Sequence, residues 1–137
     1  MTISERIAEL REYARQDREE CNEGSISDFL AFPVTLLGME GPYLFLLDNG
    51  DLRALWKSVK YRLAVEFLGE GRARLVAWPT KPAEKATSLL FRVTGFPERL
   101  TGEEFLSYVK EHEAEEAEIE VVGLPGMTVK GTRHSLT

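Results

Sequence analysis

The side chains suited to chemistry in this chain of 137 residues are few, and their spacing works against them. Nucleophilic catalysis sets a serine, cysteine or threonine beside a base, most often a histidine held by a third group. Only His112 and His134 are present. His134 falls in a terminal segment with no periodicity. His112 falls on the inward side of a predicted helix, where packing is the expectation. The one cysteine, Cys21, extends the apolar stripe of the first helix and reads as a small hydrophobe. No triad assembles, so a non-enzymatic protein is expected. One cysteine and two histidines do not make a Cys/His zinc site, and Glu111, His112 and Glu113 point in different directions from a helix. Calcium-loop and phosphate-loop patterns are missing, so no metal or cofactor is expected. Among 23 acidic residues a pair of carboxylates at workable separation arises by chance.

A different constellation concerns binding. The formal charge is −6, but residues 53–85 carry eight basic and three acidic side chains, whereas 1–24, 25–52 and 86–137 are each net negative. A basic sheet segment between acidic ones makes a polar molecule able to orient against a charged partner. Lys57, Lys60, Arg62, Arg72 and Arg74 are predicted to line one sheet surface, with Trp56, Tyr61 and Trp78 interleaved. That pattern permits single-stranded nucleic-acid binding by stacking over segment 53–85. Alternation weakens it by turning Tyr61 away from Lys60 and Arg62, toward the core. The preferred expectation is therefore a small acidic regulator, an inhibitor or adaptor, that binds another protein. Its contacts would be Lys57, Lys60, Arg62, Arg72, Arg74 and Trp78, with Leu124, Met127 and Val129 from the terminal segment docking on binding. On frequency alone, the expected partner is a large nucleic-acid-processing enzyme such as RNA polymerase, with direct nucleic-acid contact the alternative.

These residues must be positioned by an α+β fold. Ile3, Ile7, Leu10 and Ala14 recur at helical spacing behind a Thr2/Glu5 capping box, and Asn22 to Gly24 read as the stop. Ser25 or Ser27 caps a single turn that Pro33 ends. From Val34 to Trp78 short apolar runs alternate with turn signals at Glu40-Gly41-Pro42, Asp48-Asn49-Gly50-Asp51 and Gly69-Glu70-Gly71. Asn49-Gly50 predicts a two-residue type I′ hairpin. Tyr61, Leu63, Val65 and Phe67 alternate with Arg62, Ala64 and Glu66, giving one dry and one wet face. Leu52, Leu55, Trp56 and Val59 match helical spacing as well, but the hairpin signal before them favours a strand. Residues 79–87 read as an internal loop. A strand from Leu89 to Thr94, a helix behind a Thr101/Glu104 capping box and a strand at Ile119 to Val122 follow. The run of glutamates from Glu113 to Glu120 reads as a solvated helix end. The whole predicts an antiparallel meander of about five strands, with an N-terminal helix and a C-terminal strand-helix-strand unit. It forms one domain over residues 1–124, with 125–137 as a flexible tail.

Residues 89–122, with Val93-Thr94-Gly95-Phe96-Pro97 before Leu100-Thr101-Gly102-Glu103-Glu104-Phe105, resemble the opening strand, turn, helix and second strand of RNA-recognition-motif domains. Arg92 stands where that family sets its first-strand aromatic, and no glycine-aromatic stretch follows, so no functional residue carries over. No run of about 18 apolar residues exists, and the first twenty residues are charged, so neither a membrane span nor a secretory signal is expected. A cytoplasmic protein is the expectation. Scarce Gln, Asn and Cys beside abundant Glu, Arg and Leu suggest a thermophile or its virus as source.

Overall fold

A computed structural model describes residues 1–32, 34–79, 85–111, 115–121 and 129–130. Helix α1 spans Ile3–Gln16 and opens on the expected capping box, with Thr2 Oγ accepting from Glu5 N–H and the Glu5 carboxylate accepting from Thr2 N–H. Ile7, Leu10 and Ala14 form its buried stripe. The helix stops well before Asn22. Arg18 takes a left-handed φ of 57°, and Arg18 and Glu19 N–H return to Arg15 and Ala14 carbonyls, closing the last turn as a Schellman motif without glycine. Asn22 is a start instead of a stop, since its side chain accepts from Ser25 N–H to cap α2, Glu23–Leu30. The expected single turn is thus an eight-residue helix.

The strands are β1 (Thr35–Leu37), β2 (Glu40–Leu46), β3 (Leu52–Lys57), β4 (Tyr61–Phe67), β5 (Arg72–Pro79), β6 (Lys85–Arg92), β7 (Arg99–Thr101), β8 (Glu115–Val121) and β9 (Val129–Lys130). Helix α3, Gly102–Glu111, follows β7 and carries the predicted Thr101/Glu104 capping box. β2 to β6, β8 and β9 form one antiparallel sheet in that order, while β1 and β7 make a separate parallel pair. The five-stranded meander, the N-terminal helix and the C-terminal strand-helix unit are as the sequence predicts. Strand wins over helix at Leu52–Lys57 because β2 and β4 pair with both of its edges.

Several details differ from expectation. The β2–β3 loop has three residues, not two: Gly50 N–H bonds Leu47 O, Leu47 N–H bonds Asp51 O, and only Gly50 takes a positive φ. Glu40-Gly41-Pro42 is no turn. It lies inside β2, with a cis Gly41–Pro42 bond, where the register with β3 shifts between Glu40 and Tyr43. β5 runs through Pro79 and β6 starts at Lys85, so strands occupy both ends of the segment read as a loop. The glutamate-rich run enters β8 at Glu115 rather than extending a helix, as the two-residue alternation of Ala117, Ile119 and Val121 would dictate. Val129 and Lys130, read as part of a tail, pair with β8.

The three helices cover one sheet face. Leu52, Ala54, Trp56, Leu63, Val65, Phe67, Ala73, Leu75, Leu89 and Phe91 meet Ile7, Leu10, Ile26, Phe29, Phe105 and Val109 in a single core. Phe29, Phe32, Phe67, Phe91, Phe96 and Phe105 pack edge-on or tilted at 5.4–6.2 Å, joining α2, β4, β6 and α3. Two polar anchors fix α2 to the hairpins. Buried Ser25 Oγ donates to Phe67 O (2.5 Å) and accepts from Leu52 N–H (2.7 Å), while Asp28 Oδ2 accepts from Gly69 and Gly71 N–H at 3.1 and 3.0 Å. No helix among the described residues is long and apolar enough to cross a membrane.

Candidate interaction face

Residues opposite one another across a ladder share a face, and so do residues two apart along a strand. Lys57 opposes Arg62, and Arg62 opposes Trp78. Arg53, Glu66 and Arg74 form a second row, and Arg72 opposes Arg92 in a third place. Lys57, Arg62, Arg72, Arg74 and Trp78 therefore meet on one face, the one turned away from the helices, as the alternation predicts. Lys60 sits exposed in the β3–β4 turn. Arg53 and Arg92 join the face although neither was singled out in the sequence; their strand parity was the available signal. Val129 lies in β9, whereas Leu124, Met127, His112 and His134 fall outside the described residues.

This face is not simply wet. Leu55, Ala64, Val76 and Trp78 bury themselves in a small second cluster with Phe45 beside them, and Arg53, Glu66, Arg74 and Ser88 are buried with them. The exposed charge lies at the rim: Arg72 and Arg92 are exposed, and Lys57 and Arg62 are half-buried. Lys57 Nζ lies 4.8 Å from the centre of the Tyr43 ring, a cation–π contact, and Glu40 faces Lys57 from β2.

The aromatic residues divide differently from the stacking expectation. Trp56 lies in the helix-covered core, and Tyr61 packs against it. Trp78 is on the basic face but only 4% exposed, and its Nε1 makes no hydrogen bond among the described residues. Tyr61 instead meets the first turn of α3, where burial foremost and a hydrogen bond to the Glu103 carboxylate next push its hydroxyl up to about 12. Cys21 is half-buried against the core, and burial raises its thiol further from the thiolate form.

By fold this is an α+β protein, a sequential antiparallel meander with helices on one face and a basic rim on the other. No protein-family model, curated protein or solved structure matches the chain.

Proposed function

We propose that the protein is a non-enzymatic cytoplasmic regulator, an inhibitor or adaptor, whose basic sheet face docks on an acidic surface of another protein. One observation carries this reading. Four basic side chains, Lys57, Arg62, Arg72 and Arg92, stand at the rim of the same face, Lys57 beside Arg62 and Arg72 beside Arg92 across the ladders. An anionic surface laid over this rim gains attraction from each of them. Nucleic acid is the weaker partner because base stacking needs exposed rings, and Trp56, Tyr61 and Trp78 are turned inward or buried. A large nucleic-acid-processing enzyme such as RNA polymerase is the first partner to try.

The test compares wild type with Arg72→Glu/Arg92→Glu and Lys57→Glu/Arg62→Glu, each confirmed folded by circular dichroism. Binding is measured to purified RNA polymerase and to a thymidine oligonucleotide over a salt series. Wild type is expected to bind the polymerase with salt-sensitive affinity, and either reversal to weaken it at least about tenfold. Equal binding by the reversed variants would sink the proposal, and tighter binding to the oligonucleotide would install the nucleic-acid reading in its place.

A further inference from the structure

Strand β2 is an edge of the seven-stranded sheet, with β3 on one side only. In the antiparallel ladder Tyr43 and Phe45 face β3, and Leu47 continues the inward series by bonding Asp51 O. Leu44 and Leu46 therefore turn their N–H and C=O groups outward. Leu44 O confirms the parity, because the Arg6 guanidinium reaches it from outside through Nε (3.2 Å) and Nη2 (2.9 Å). Helix α1 runs beside this edge, and between helix and strand lie two cavities of about 510 and 260 Å³ that share Arg6 and Phe45, making one groove. Of the seven exposed large hydrophobic side chains among the described residues, four line it: Met1, Ile3, Tyr13 and Tyr43. Among the described residues, much of the apolar exposure therefore lies beside an edge where Leu44 and Leu46 have no strand on their outer side. Among the described residues, the groove's charged side chains are three carboxylates, Glu9, Asp17 and Glu19, and one guanidinium, Arg6, which is already engaged by Glu9.

We propose that this groove accepts an extended peptide of alternating apolar and basic residues, added as an extra strand to β2. Outward backbone groups select extended chain, the exposed apolar side chains select apolar residues on one side of it, and the surplus of carboxylates selects positive charge. Arg6 is the latch: its guanidinium holds Leu44 O until the incoming strand displaces it, which also guards an otherwise open edge. The groove and the basic face meet at Tyr43 and Phe45 but carry opposite charge, and the charge reversals and the groove variants alter different residues, so each binding mode is tested without the other.

The probe is a fluorescein-labelled eight-residue peptide alternating lysine and valine, followed by fluorescence anisotropy with the full chain. Its controls are the same peptide with every second backbone nitrogen methylated and a glutamate-valine counterpart. The lysine-valine peptide is expected to bind at least about tenfold tighter than either control. Leu46→Pro, which removes an outward N–H and leaves the β3 ladder intact, is expected to lose about tenfold in affinity. Tyr13→Lys, at an exposed helical position, is expected to lose several-fold by repulsion. Three results would overturn the proposal: no binding at millimolar peptide, equal binding of the methylated probe, or unchanged affinity in both variants. A sedimenting species of twice the chain's mass that Leu46→Pro dissociates would likewise overturn it and give the edge to a second copy.

Discussion

Replacing Gly102 with alanine adds one methyl group where the start of α3 meets the start of β4. An alanine Cβ there would stand 1.9 Å from Tyr61 Oη, 2.7 Å from Cζ and 2.9 Å from Cε2. Carbon atoms in good contact sit about 3.5–4.0 Å apart, so the ring must retreat by roughly 1.5 Å. That motion lifts Tyr61 from the core and breaks its bond to Glu103. Forced repacking of this kind costs about 1–3 kcal/mol, and the hydrogen bond about 1 kcal/mol more. Alanine returns up to about 1 kcal/mol through helix propensity, and less in a first turn. A net loss of about 1–4 kcal/mol remains, equivalent to a fall in Tm of roughly 3–14 °C for a chain of this size. Urea unfolding and thermal melts of Gly102→Ala, Tyr61→Leu and the double variant measure it. In the Tyr61→Leu background the ring is gone, and Gly102→Ala is expected to cost less than about 0.5 kcal/mol. Gly102→Ala as stable as wild type, or equally costly in both backgrounds, would refute the packing argument.

Four further outcomes are expected. Ser25→Ala leaves Phe67 O and Leu52 N–H without their shared partner inside the core, a loss of about 2–3 kcal/mol readable by chemical denaturation. Asp28→Ala frees Gly69 and Gly71 N–H, costs about 1–3 kcal/mol and speeds amide exchange in the β4–β5 turn, with Asp28→Asn milder because it keeps an acceptor. Arg18→Gly relieves a left-handed residue at the end of α1 and raises stability by about 0.5–1 kcal/mol in a thermal melt. Tyr61 ionises near 10 when unfolded and near 12 when folded, so its neutral form favours the fold below about pH 10, and that contribution disappears as pH rises through about 12. The stability advantage of wild type over Tyr61→Phe should therefore shrink between those values in a pH series of urea melts.

The parts of this fold that were legible were those set by local grammar. Thr2 with Glu5 and Thr101 with Glu104 close capping boxes because three residues of spacing suffice, and Leu63, Val65 and Phe67 declare their face by parity alone. Helix ends failed where tertiary bonds decide. Asn22 is a plausible stop until its amide reaches Asp51 and Leu68 O across the chain, which makes it the start of α2. Glu40-Gly41-Pro42 has turn composition, yet pairing with β3 absorbs it as an irregularity within a strand. The gathering of Lys57, Arg62, Arg72, Arg74 and Trp78 on one face followed from alternation. The depth to which Arg74 and Trp78 sink did not, because burial depends on neighbouring strands that no two-residue pattern encodes. The groove along β2 was invisible for a similar reason: nothing in Tyr43 to Leu46 says which strand will be last in the sheet.

Because the strands of the large sheet stand side by side in the order in which they occur along the chain, each new strand finds its place against the one made just before it. Closing such short loops costs little chain entropy, so β3 to β6 can zip hairpin by hairpin as the polypeptide leaves the ribosome. The helices obey a different clock. α1 and α2 precede β2 to β4 along the chain, so their apolar stripes have nothing to cover until those strands exist, whereas α3 arrives after most of its platform is complete. During synthesis the apolar stripes of α1 and α2 therefore stay uncovered until β2 to β4 are made, and the β4–β5 turn then locks onto Asp28 to hold α2 in place.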